Sequence, residues 1–131
     1  TWAEPMTKQI QMSEIRNAKQ YDLEERTLKF AKDVIVFVKS LSRTIANIEI
    51  IKQLVRASGA VGANYIEANE ALSKKDFVMR IKICRKEAKE SRYWLKLIEV
   101  SGESAEKQRL LLIQEATELM KIFGAILEKT K

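Results

Sequence analysis

Seven cations in one short stretch carry the clearest chemistry in this chain. Lys75, Lys82, Lys86, Lys89 and Lys96 are spaced 7, 4, 3 and 7 residues apart, which keeps all five on one side of an α-helix. Arg85 and Arg92 are seven apart and lie beside that stripe. Lysine and arginine at this density contact phosphates, so a polyanion such as RNA or DNA is the first partner they predict. Tyr93 and Trp94 sit near the end of the stripe, where an exposed aromatic can stack on an unpaired base. The blander reading is a solvated face, with Tyr93 and Trp94 filling gaps between helices.

Chemistry of the catalytic kind has little to work with. Glu67, Glu70, Glu87 and Glu90 fall near the middle of the second and third predicted helices. Bundles hold two metals between such carboxylates when Glu-x-x-His pairs accompany them. The chain contains no histidine, so the set is incomplete and neither a metal nor a cofactor is expected. The same absence removes the commonest general base. No catalytic residue is assigned, and a non-enzymatic protein is expected. Glu87 and Glu90 read instead as groups that temper repulsion inside the basic helix, or Glu67 and Glu87 as partly buried carboxylates paired with Arg80 or Arg92.

Cys84 falls between Ile81 and Ala88 on an apolar seam, as a buried structural thiol does. The run Ala57-Ser58-Gly59-Ala60-Val61-Gly62-Ala63-Asn64 is rich in small residues. A phosphate loop would need a preceding strand and a G-K-[ST] ending, and has neither. Glycine inside a helix costs about 1 kcal/mol relative to alanine. Close approach of another helix to Gly59, Ala60, Gly62 and Ala63 offsets that cost.

The elements that position these residues are helices. The chain has 131 residues, 46% apolar, with one proline and four glycines, a composition of one helical domain. Its length permits burial of about two-thirds of the unfolded surface. From Lys74 to Lys96 there are nine Lys/Arg against three Asp/Glu, and the whole chain is +6, so the net charge is that of one helix. A single cysteine excludes an internal disulfide and fits a reducing compartment. No run approaches the roughly 18–20 apolar residues that span a bilayer. No secretory leader is evident. A cytoplasmic protein with no membrane partner is expected.

Residues 1–19, with the only proline, Pro5, are expected to be a flexible N-terminal arm with one helical turn near Glu14–Ala18. Residues 20–131 form the predicted bundle domain. Asp22 is the expected cap of the first helix, whose stripe is Leu28, Ala31, Ile35, Val38 and Leu41, broadened by Phe30, Val34 and Phe37, with an end near Arg43. Asn47 is the expected cap of the second, running to about Leu72. Ser73 caps the third, with Asp76 three residues on. Its inner seam is Phe77, Ile81, Cys84, Ala88, Ser91, Leu95 and Ile98, and Ser101-Gly102 ends it. Ser104 is the expected cap of the fourth, with Leu111, Ile113, Ala116, Leu119, Met120, Phe123, Ile126 and Leu127 as its stripe. Four helices with short links predict an all-α, antiparallel up-down-up-down four-helix bundle.

Three blocks carry a family resemblance: Gln53 to Ala68 (QLVRASGAVGANYIEA), Ser73-x-x-Asp76-Phe77, and Lys86-Glu87-Ala88-x-Glu90-Ser91-x-Tyr93-Trp94-Leu95. In this order and spacing they resemble the four-helix-bundle proteins encoded in intervening sequences of 23S ribosomal RNA genes, also labelled S23 ribosomal proteins. The resemblance covers about Tyr21 to Lys129. It implies a ring-like homopentamer, in which the basic helix repeats fivefold. Gly59, Gly62, Ala63, Asn64, Glu67, Glu87, Glu90 and Tyr93 are then the candidate bundle or subunit contacts. A related group, the accessory proteins of diversity-generating retroelements, forms a basic pentameric barrel that engages nucleic acid and a reverse transcriptase.

The expected function is therefore an oligomer that binds RNA or DNA through Lys75, Lys82, Arg85, Lys86, Lys89, Arg92 and Lys96. The alternative is a protein–protein scaffold, or an accessory factor for a nucleic-acid enzyme such as a reverse transcriptase.

Overall fold

Helix α1 covers Leu23–Lys39, α2 Ile45–Asn69, α3 Lys74–Leu97 and α4 Glu103–Lys129, in a computed structural model whose described residues are 22–131. The expected arm, residues 1–19, lies outside the described residues. Those described are all-α, with no strand among them.

Three of the four starts are capped by side chains. The Asp22 carboxylate accepts from the Glu25 N–H at 2.7 Å. The Thr44 hydroxyl accepts from Asn47 N–H, and the Ser73 hydroxyl from Asp76 N–H, each at 3.1 Å. Each cap contributes about 0.5–2 kcal/mol. Asp22 and Ser73 act as the sequence predicts.

Two caps differ from expectation. Thr44, not Asn47, begins α2. Asn47 is buried, and its amide donates to the carbonyls of Ser42 and Glu99 and accepts from Glu99 N–H. A side chain needed by two loops cannot also cap its own helix. Gly102, not Ser104, begins α4. Its φ of +89° lies where a Cβ is strained, which is why glycine stands there. It therefore opens α4 rather than closing α3, which ends at Leu97.

The expected α3 seam is buried throughout, from Phe77 to Ile98. On α1 the core face is Leu23, Thr27, Phe30, Val34, Phe37 and Val38, while Leu28 and Ile35 remain 54% and 41% exposed. Both sets follow helical spacing. The one with two phenylalanines removes more apolar surface from water, and it faces inward. On α4, Leu112 and Ile122 are buried, whereas Leu111 faces out and Ile113 and Met120 are half-buried. α1 stops at Lys39 rather than near Arg43, and α2 at Asn69 rather than near Leu72.

Each helix packs against the next, and α4 returns to α1. Polar contacts pin the seams. Across α2 and α3, Arg56 meets Glu90 and Asn64 meets Arg80, and Asn47 at the start of α2 meets Glu99 just beyond the end of α3. Asn69 reaches Glu24 between α2 and α1, and Arg26 forks onto Glu115 between α1 and α4. No described helix is long and apolar enough to cross a membrane.

Candidate nucleic-acid interface

Charge is not spread over the bundle. α1 has four cations against three acids, α2 two against two, and α4 four against five. α3 has nine against three. Lys74, Lys75, Lys82, Arg85, Lys86, Lys89 and Lys96 are exposed. None of the seven side chains makes an ion pair or hydrogen bond among the described residues. Unpaired cations on one helix repel one another, and a polyanion relieves that repulsion.

The other two α3 arginines behave differently. Arg80 donates to the Asn64 amide oxygen at 3.0 Å. Arg92 is half-buried and donates to the Thr117 hydroxyl at 3.3 Å. Both guanidinium groups tie α3 to a neighbour. Arg92 thus leaves the row in which its spacing from Arg85 placed it, whereas Lys74 joins it. Lys74 could have been found from the same charge run.

The outward side of α3 is not purely charged. Val78, Met79 and Ile83 line a shallow groove there with Lys75, Lys82 and Lys86. Tyr93 is 58% exposed and lies on this side, whereas Trp94 packs partly into the core. Their rings meet edge to face, with centroids 5.0 Å apart and planes 78° apart. Of the two aromatics, only Trp94 fills a gap.

The carboxylates do not converge. Glu67 and Glu70 are exposed. Glu87 is buried and faces Arg56 at 3.5 Å, and Glu90 meets the same guanidinium at 2.8 Å. The expected partners of Glu87, Arg80 or Arg92, are engaged elsewhere. Arg56 was missed because a partner on another helix leaves no spacing signal. Among the described residues, no three His, Cys, Asp or Glu side chains gather as a metal site requires.

The family model of the 23S rRNA-intervening sequence proteins matches residues 19–125. The chain belongs to that family. No curated protein matches it. Among solved structures, it is similar to a protein of unknown function from the S23 ribosomal protein family of Bacteroides thetaiotaomicron VPI-5482. The two are 30% identical, with a TM-score of 0.71, over 80% of this chain and 97% of the other.

In this 23S rRNA-intervening sequence protein, the small residues of α2 divide between two sides. A Cβ on Gly62 would lie 2.9 Å from the Thr27 hydroxyl oxygen, so α1 approaches closely there. Gly59 and Ala63 face outward, and a Cβ on Gly59 would touch nothing within 4 Å among the described residues. The close approach expected of both glycines holds within the chain for Gly62 alone. Asn64 bonds back to the Ala60 carbonyl and across to Arg80. Glu67 is exposed one turn further on. The family member's one cysteine, Cys84, is fully buried, and burial pushes its thiol up to about 12, as an inert core thiol requires.

Proposed function

We propose that this protein is a non-enzymatic, nucleic-acid-binding bundle that grips phosphates of RNA or DNA with the outer side of α3. One observation carries the reading: seven exposed cations on one helix have no partner among the described residues. Lys75, Lys82, Lys86, Lys89 and Lys96 form the phosphate row, with Lys74 and Arg85 beside them. Arg92 supports the row by holding α3 against α4. Binding through such a row is salt-dependent and weakly sequence-selective.

The four helices run up-down-up-down in this reading. The α2–α3 pairs 56/90 and 64/80, with 47/99 just beyond the end of α3, support it, because one number rises as the other falls. Links of four or five residues between helices agree. A homopentamer is the assembly the family resemblance implies. The outer side of α2, where Gly59 and Ala63 lie between exposed Ile48 and Ile66, is the candidate surface for it. Light scattering measures that state directly. A cytoplasmic setting suits a reduced Cys84 and a nucleic-acid ligand.

The test is to reverse Lys82, Lys86 and Lys89 to glutamate together. All three are exposed, so the helical circular dichroism spectrum should be preserved while binding to RNA and DNA is lost at low salt. Wild-type protein that binds neither at low salt refutes the reading. Capture of a partner protein by the same face, with no affinity for nucleic acid, favours the scaffold instead.

A further inference from the structure

We infer that the ligand of this face is an unpaired polynucleotide strand, with Tyr93 as the platform on which a base stacks. The inference rests on the nucleic-acid reading above and adds the class of strand. Tyr93 continues the row Lys82, Lys86, Lys89 by a further step of four, and Lys96 follows at three. All five residues are exposed. A phenol ring therefore stands in line with the phosphate-binding lysines.

That ring is held in place. Trp94 meets it edge to face at 5.0 Å, and Trp94 is itself anchored against the core. An edge-to-face neighbour restrains a ring without covering both of its faces. At the other end of the helix, Val78, Met79 and Ile83 form an apolar groove among Lys75, Lys82 and Lys86. Lys75 and Tyr93 are separated by about 27 Å along the helix, at roughly 1.5 Å per residue. Cations thus alternate with apolar and aromatic surface along one line.

A duplex cannot use that alternation. Its bases are stacked on one another, and a convex helix meets only sugar and phosphate unless it enters a groove. There Tyr93 and the apolar groove gain nothing that an alanine would lose. An unpaired strand presents base faces as well as phosphates. Stacking on an aromatic contributes about 1–3 kcal/mol per base and tolerates any sequence.

The experiment is fluorescence anisotropy on the full chain at low salt. The probes are labelled single-stranded RNA and DNA of one mixed sequence, and the duplexes each forms with its complement. Wild-type protein is expected to bind the single strands at least tenfold more tightly than the duplexes. Tyr93→Ala should weaken single-strand binding about tenfold and leave duplex binding within twofold, because it removes no charge. Tyr93→Phe should bind as wild type does. Tighter binding of one single strand assigns the source as RNA or DNA, and supports the inference either way. Duplex binding as tight as single-strand binding overturns it, as does Tyr93→Ala binding both forms as wild type does. Those results leave the phosphate row standing. Absence of binding to any probe overturns the phosphate row itself, and this inference with it.

Discussion

Gly62 stands where an added Cβ would lie 2.9 Å from the Thr27 hydroxyl oxygen and 3.3 Å from the Thr27 Cβ. Thr27 is buried and has little room to give, because its hydroxyl donates to the carbonyls of Leu23 and Glu24. Gly62→Ala should therefore destabilise by about 1–3 kcal/mol through overpacking, despite alanine's better helix propensity. Gly59 is exposed with open space around its Cβ position. Gly59→Ala should stabilise the isolated chain by up to about 1 kcal/mol. Chemical denaturation of both variants gives the comparison. Equal effects of the same sign would contradict the assignment of the two glycines to different sides.

Asn47 joins the α1–α2 link to the α3–α4 link. Its amide nitrogen reaches the carbonyls of Ser42 and Glu99 at 3.1 and 3.0 Å, and its oxygen accepts from Glu99 N–H at 3.1 Å. Asn47→Ala strips partners from these backbone groups and should cost about 2–4 kcal/mol, at roughly 1 kcal/mol or more per bond. Asn47→Asp should do no better, because a carboxylate cannot donate to two carbonyls. A thermal melt in which the aspartate variant matches wild type would remove Asn47 from this role.

Arg56 bridges Glu87 and Glu90 from α2. Arg56→Ala leaves the buried Glu87 carboxylate without its cation. The half-exposure of Arg56 keeps the expected loss at about 1–2 kcal/mol, below that of a fully buried pair. Glu87→Gln in the same background should recover part of it. A double variant less stable than Arg56→Ala would show that the Glu87 charge is not what Arg56 serves.

Burial raises the Cys84 thiol from 9.0 to about 12. The unfolded chain therefore sheds this proton first as pH rises. The contribution to stability is complete below about pH 9 and is lost between about pH 9 and 12. Burial raises the Tyr65 phenol as well, which acts in the same sense at higher pH. Denaturant midpoints across this window should fall less steeply for Cys84→Ala than for wild type. Slopes that coincide would mean that the thiol ionises alike in both states.

The third helix was the most legible part of the fold, and the reason is compositional. Its outer side is so charged that only one face can be buried, and Phe77, Ile81, Cys84, Ala88, Ser91, Leu95 and Ile98 occupy it. On α1 the apolar arc is wide, running from Phe30 and Phe37 across to Leu28 and Ile35, so spacing alone does not say which edge of it is buried. Only the packed partners decide that Phe30 and Phe37 go in while Leu28 stays out. The cap at Ser73 was readable because its bond is local. Asn47 and Arg56 were not, because their partners lie 52 and 34 positions away. The lysine row was visible as spacing, but the lack of partners for its lysines among the described residues and the turning-in of Arg92 towards Thr117 depend on the neighbouring helices.

The most direct test of the central claim is the salt dependence of binding to a single-stranded RNA oligonucleotide. Five engaged lysines predict a log–log slope near −3.5, at about 0.7 per neutralised phosphate. The Lys82, Lys86, Lys89 triple glutamate variant should lose at least about 2 from that slope, if any binding persists. A wild-type slope near zero, or one that the triple variant leaves unchanged, would contradict the account.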